Sequence, residues 1–288
     1  MTAVPHRDEP TAGELLTAWL ARQTEALAAL EGPVRADEPD AVHRMRITSR
    51  RLRSTLQAYR PLLAADTTAL VGELRELAAA LGLARDSEVL GERLTAAARE
   101  LPPECGPQEA AAALGRWSAE QTARARPQAL AALDGPRLPA LLAGLRALVA
   151  EPRLTVRADR PASGELARIA RREQRRTGRR IRAAREAAPG EPTDQALHEA
   201  RKAAKRARYA GEPAGAAAQS FTRRMKELQD LLGAHQDAVL ARRTLHGLAG
   251  TGPAFAYGVL FEQQRAAAAR ARAELPAVWR RARRRPTF

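Results

Sequence analysis

Between its proline and glycine breaks the sequence repeats with a helical period of 3.6 residues, and nowhere does it show convincing strand alternation. Breaks fall at Gly32-Pro33, Glu38-Pro39, Pro102-Pro103, Gly135-Pro136, Glu151-Pro152, Pro161, Pro189-Gly190, Glu191-Pro192, Glu212-Pro213 and Gly250 to Pro253. The segments between them predict helices near 12–31, 40–59, 66–81, 86–100, 109–126, 138–150, 163–187, 193–210, 216–232, 237–249 and 254–273. Ala, Leu, Arg and Glu dominate, β-branched residues are sparse and aromatics make up only 3%. Such a composition favours closely packed helices. An all-α fold is expected.

The second constraint is internal repetition. "AVHRMRITSRRLRS" (41–54) recurs as "ALHEARKAAKRARY" (196–209), which pairs His43 with His198, Arg46 with Arg201, Arg50 with Lys205, Arg51 with Arg206 and Arg53 with Arg208. Downstream, "ELRELAAALGLARDSEVL" (73–90) recurs as "RMKELQDLLGAHQDAVL" (224–240), and "GEL" opens the first helix of each half at 13–15 and 164–166. A tandem duplication is expected, with helical halves at 12–150 and 163–288.

Charge bounds the partner. Lys and Arg number 48 against 33 Asp and Glu, a formal net charge of +15 carried mostly by arginine. The planar guanidinium fork binds phosphate or carboxylate oxygens in pairs. A polyanionic partner is the leading expectation, and a solvated arginine-rich surface is the bland alternative. The single cysteine, Cys105, excludes an intramolecular disulfide framework and a cysteine-based zinc site. No apolar run reaches the length of a membrane span, and the N-terminal "MTAVPHRDEPTAG" has no signal-type apolar core. A soluble, cytoplasmic protein without membrane association is expected.

At about 100° per residue, His43, Arg46, Arg50 and Arg53 share roughly a quarter of one helix circumference. Val42, Met45, Leu52, Leu56 and Tyr59 form the adjoining core face, while Arg44 and Arg51 are expected to face solvent. The repeat aligns His198, Arg201, Lys205 and Arg208 beside Leu197, Ala200, Ala204 and Ala207. A solvated cationic face would normally sit opposite the core and carry acids at i±4. These stripes adjoin the core and contain no acid, so an anion is expected to neutralise them. Two facing stripes would line a basic pore or groove.

A further stripe, Arg168, Arg172, Arg175, Arg179 and Arg182, follows helical spacing, with a solvent-exposed face as its near-equal alternative. Arg22, Arg75 and the repeat partner Lys226 are weaker candidates. "LGLARD" and "LGAHQD" read as turns, with Gly82 and Gly233 closing one helix and Asp86 and Asp237 capping the next. Under the other reading, Arg85 and Gln236 point into the anion site.

For the histidines, a metal site lacks convergent ligands and acid–base catalysis lacks a paired carboxylate or nucleophile. A phosphohistidine relay stays open. Membership of the anion site, or a buried structural role, is favoured. His6, His235 and His246 have no comparable context. No catalytic residue, metal or cofactor is expected.

The motif His43-x-x-Arg46-x-x-x-Arg50-Arg51-Leu52-Arg53, its weaker repeat at 198–208 and the two Leu-Gly-x-x-x-Asp segments resemble the CHAD domain, the conserved histidine α-helical domain. The resemblance covers the chain after about residue 12. It implies two pseudo-symmetric helical bundles around a basic central pore, non-enzymatic binding of inorganic polyphosphate and, in some members, association with polyphosphate granules. By motif, His43, Arg46, Arg50, Arg53, His198, Arg201, Lys205 and Arg208 would line that pore. Ala207 stands where leucine is more usual. The strand patterns of a CYTH-type triphosphate-processing domain, often fused to such a module, are missing, so a stand-alone binder is expected. Nonspecific DNA or RNA binding through the arginine-rich helix and the "WRRARRR" tail is the rival partner class. A polyphosphatase or phosphotransferase is the rival enzyme class, which would need metal-binding carboxylates beside the stripe.

Overall fold

The computed structural model describes residues 9–288, without the side chains of residues 83–86. The helices are α1 (Ala12–Ala28), α2 (Glu31–Arg35), α3 (Ala41–Tyr59), α4 (Thr68–Arg99), α5 (Pro107–Asp134), α6 (Arg137–Ala150), α7 (Ala162–Glu186), α8 (Glu191–Gly211), α9 (Gln219–Leu248) and α10 (Ala254–Ala282). Short 3₁₀ turns follow α3, α4 and α8. Among the described residues there are only two isolated β-bridges, and the fold is all-α.

Three apolar clusters organise these helices. The largest gathers α1, α2, α3, α6, the first part of α4 and the last part of α5, with Leu16, Met45, Leu52, Leu56, Tyr59 and Leu74 fully buried. A second joins α7 and α8 to the first part of α9 and the last part of α10. A third forms where the far ends of the α4–α5 and α9–α10 hairpins meet, through Leu94, Leu114, Leu245, Tyr257 and Leu260. The two hairpins therefore touch at their tips as well as being rooted in separate clusters.

The expected core faces hold. Met45, Leu52, Leu56 and Tyr59 are buried on α3, as are Leu197, Ala200, Ala204 and Ala207 on α8. The expected turns at Gly82 and Gly233 do not form. Segments 66–81 and 86–100 are one helix, α4, and segments 216–232 and 237–249 are one helix, α9. A mid-helix glycine costs about 1 kcal/mol relative to alanine, which the burial of Leu74, Leu81, Leu94, Leu228, Leu232 and Leu245 along the same helices outweighs. Asp237 thus lies inside a helix and caps nothing, and the side chains of Arg85 and Asp86, like all of His6, lie outside the described residues. Likewise α5 runs through Pro127 and α10 through Pro276, because Ala129, Leu133, Val278 and Ala282 beyond the prolines are buried.

The segment between α6 and α7 is stitched to the first half. Ala12 and Gly13 donate backbone hydrogen bonds to Arg160 and Ala158 at 2.9 and 2.8 Å, and Thr155 donates to Leu62 at 2.9 Å. Gly13 is closely packed there, since a Cβ would lie 3.1 Å from Cβ and 3.3 Å from the carbonyl oxygen of Ala158.

Candidate functional site

Helices α3 and α8 meet across the two clusters. The buried Tyr59 hydroxyl donates to the Ala210 carbonyl at 2.8 Å. Arg206 of α8 donates to the Gln57 carbonyl at 2.8 Å and pairs with buried Glu173 of α7 at 2.9 Å. Its repeat partner Arg51 reaches Glu212 at 3.3 Å and also lies over the Tyr209 ring. Arg51 therefore borders the seam, with 36% of its side chain still exposed, because the turn after α8 supplies a partner carboxylate. Burial pushes the Glu212 carboxyl upward, against the pull of Arg51 and Arg208.

That seam brings the two stripes to one cavity of about 610 Å³. α3 contributes His43, Arg46, Ile47 and Arg50, and α8 contributes His198, Arg201, Lys205, Arg208 and Tyr209. The opposite wall comes from α4 with Val89, Leu90 and Arg93, and from α9 with Lys226, Gln229, Asp230, Gln236, Asp237 and Leu240. A second hollow of about 210 Å³ shares Arg50 and Lys205 with the first and adds Arg53, Gln57, Arg176, Arg180, Lys202, Arg206 and Glu199, the last paired with Lys202. His43, Arg46, Arg50, Arg53, His198, Arg201, Lys205 and Arg208 are all half-buried.

The mid-helix glycines explain how the arginines reach the cavity. A Cβ at Gly82 would lie 3.4 Å from Nε of Arg46, and one at Gly233 would lie 3.5 Å from Nε of Arg201. One arginine of each stripe, Arg46 or Arg201, crosses the neighbouring long helix over a glycine.

The electrostatics are those of crowded cations. Burial, reinforced by Arg46, lowers the Arg50 guanidinium to about 10. Burial also lowers the Lys205 ammonium to about 6, reinforced by Arg50, Arg201, Arg46 and Arg208. Arg53 is lowered by burial and by Arg75, and Arg93 by burial. Burial and Lys202 lower His198, which is hydrogen-bonded to Gln236. Among the described residues, no carboxylate lies within 4 Å of Arg50, Arg53, Arg201 or Lys205, and Nε of Arg201 has no hydrogen-bond partner. Acids elsewhere are taken up by other arginines, as in Arg137–Glu73 at 2.8 Å and Arg146–Glu25 at 2.9 Å.

The other sequence candidates, Lys226 excepted, lie outside the main cavity. Arg172 donates to the Ala58 carbonyl and pairs with Glu173. Arg179 and Arg22 are exposed and outside the cavity. Arg75 pairs with Glu76 at 2.8 Å, and Arg175 lines a separate depression. Lys226 is at the cavity rim and pairs with Asp230 at 2.5 Å. Sequence reasoning passed over Arg93, Arg176, Arg180 and Lys202. Arg93 follows Gly82 by 11 residues, close to three full turns, and that spacing identifies it once α4 is continuous. His235, given no context by the sequence, is buried with Nε2 3.3 Å from Asp194. Among the described residues no group of three or more His, Cys, Asp or Glu is placed to hold a metal ion, and no helix is long and apolar enough to cross a membrane.

Comparison with known proteins places this geometry. Residues 18–246 match the family model of the CHAD domain. An uncharacterized protein of Mycobacterium tuberculosis, found in strains CDC 1551 / Oshkosh and ATCC 25618 / H37Rv, is 35% identical over 96% of this chain. The alignment covers 55% of that relative, so the chain spans about half the length of the curated relatives it matches. Among solved structures, the CHAD domain from the plant Ricinus communis superposes with a TM-score of 0.72 at 25% identity, covering 99% of this chain and 96% of that one. PptA from Streptomyces chartreusis shares the fold with a TM-score of 0.77 at 23% identity, covering 94% of this chain and 99% of that one. The chain belongs to the CHAD domain family.

Proposed function

We propose that the protein binds inorganic polyphosphate, without chemical turnover, in the cavity between α3, α4, α8 and α9. The observation that carries this reading is the set of half-buried cations, Arg50, Arg53, Arg201 and Lys205, that have no carboxylate within 4 Å among the described residues. Desolvated like charges repel one another, and a chain of phosphoryl oxygens supplies the missing counter-charge along their line. Guanidinium forks give paired hydrogen bonds, Lys205 acts as a point charge, and His43 and His198 extend each stripe by one turn. Two stripes in repeated sequence, crossing equivalent glycines, support a duplicated site that receives a ligand with a repeating charge.

Binding of long-chain polyphosphate, duplex DNA and RNA at matched charge and salt tests this, for the unaltered protein and for Arg50→Ala/Lys205→Ala. Polyphosphate should bind more tightly than either nucleic acid. The double variant should lose most of that affinity and reduce the slope of log K against log salt by about 1–2. Equal affinity for DNA, with no loss in the variant, sinks the cavity reading. Release of phosphate in the presence of Mg²⁺ would instead identify an enzyme.

A further inference from the structure

The C-terminal arginines do not trail into solvent as a loose tail. Beyond α10 the chain turns back, and the buried amide of Gln174 on α7 donates from Nε2 to the carbonyls of Ala282 and Arg284 at 2.8 and 2.9 Å. Pro286 is buried, and Phe288 packs against Phe221 with ring centroids 6.1 Å apart. This fixes Arg283 and Arg285 beside Arg168, Arg171 and Arg175, around a shallow depression of about 480 Å³. Arg168 is within 3.8 Å of Glu165, but among the described residues none of Arg171, Arg175, Arg283 and Arg285 has a carboxylate within 4 Å.

The depression is joined to the cavity by the surface of α7. At about 100° per residue, and counting from Arg168 as zero, Arg171 and Arg175 lie near 300° and 340°, Arg179 and Arg172 near 20° and 40°, and Arg176 and Arg180 near 80° and 120°. The last two line the hollow that shares Arg50 and Lys205 with the main cavity. Arginine thus covers one continuous half-turn of α7, from the hollow to the tail. An unpaired acid along α7 would break the path, and at the hollow end Glu199 is paired with Lys202. Glu173, the one acid among these positions, is buried against Arg206 and Arg172.

We propose that Arg171, Arg175, Arg283 and Arg285 form a second phosphate-oxygen site, which a polyphosphate longer than the cavity reaches by crossing α7. The proposal rests on the cavity reading and adds a length requirement to it. A short chain fills the cavity alone, whereas a long chain engages both sites through one tether and gains by effective concentration.

The test compares tripolyphosphate, long-chain polyphosphate and duplex DNA, for the unaltered protein, for Arg171→Ala/Arg283→Ala/Arg285→Ala and for Arg50→Ala/Lys205→Ala. The triple variant should bind long-chain polyphosphate roughly tenfold more weakly, the scale of a few solvent-exposed charge contacts. Its tripolyphosphate affinity should not change, which also shows that the cavity is intact. An unchanged long-chain affinity, an equal loss for both lengths, or a loss confined to DNA each overturns the second site. If Arg50→Ala/Lys205→Ala leaves tripolyphosphate binding unchanged, the cavity reading itself has failed, whatever the triple variant does.

Discussion

Lys205 concentrates the electrostatic cost of the site. Arg46 and Arg50 face it from α3, Arg201 and Arg208 from its own helix, Arg176 and Arg180 from α7, and Lys226 and Asp230 from α9. With its pKa near 6 in the fold against 10.5 ordinarily, the unfolded chain holds a proton between those values that the folded chain does not. Stability should therefore rise with pH across that window, and Lys205→Met should abolish this contribution, as measured by urea titration at several pH values. A bound polyanion reverses the sign by favouring the ammonium, so binding above pH 6 should take up about one proton and weaken as pH rises. Calorimetry in buffers of different ionisation enthalpy reads that uptake directly. A second residue-scale prediction concerns Glu173, which is buried and paired with Arg206 and Arg172. Glu173→Leu should destabilise by about 3–5 kcal/mol in urea denaturation, because it strands buried guanidinium charge. The stripe residues were legible in the sequence because helical phase and an adjoining core face are local properties. Arg51 was not, since its partner Glu212 is distant in sequence and only the packing of α3 on α8 brings them together.

At the scale of elements, a glycine misled the reading of each long helix. Leu-Gly followed four residues later by Asp has the composition of a helix end and a new cap, and no local rule distinguishes that from a glycine kept small for a crossing arginine. The distinction is a tertiary contact. It yields opposite expectations for two substitutions at one position. Gly233→Ala should stabilise by roughly 0.5–1 kcal/mol in thermal or urea unfolding, since a Cβ 3.5 Å from Arg201 is ordinary contact, and polyphosphate binding should be nearly unchanged. Gly233→Leu should displace Arg201 and weaken binding. The arginines all round α7 gave no single phase to read, so the division between Arg172 at the seam and Arg176 and Arg180 at the hollow emerged only with the neighbours α3 and α8 in place. The "GEL" repeat is similarly uneven, because Gly13 is closed in by Leu154 and Ala158 whereas Gly164 has open space.

For the whole molecule, the tip cluster is the element no repeat pattern announced. Leu94, Leu114, Leu245 and Leu260 join hairpins from opposite halves of the chain, and each is essentially inaccessible. Leu94→Ala should cost about 2–5 kcal/mol of stability in urea titration, although it lies far from either bundle's main core. Arg50 and Lys205 front both the main cavity and the smaller hollow. A homopolymer laid across them presents identical groups at every position, so moving along by one unit exchanges each contact for an equivalent one. A polyphosphate bound there would have many degenerate registers and would creep along its own axis without dissociating. Affinity per chain would then carry a statistical factor that grows with the number of units.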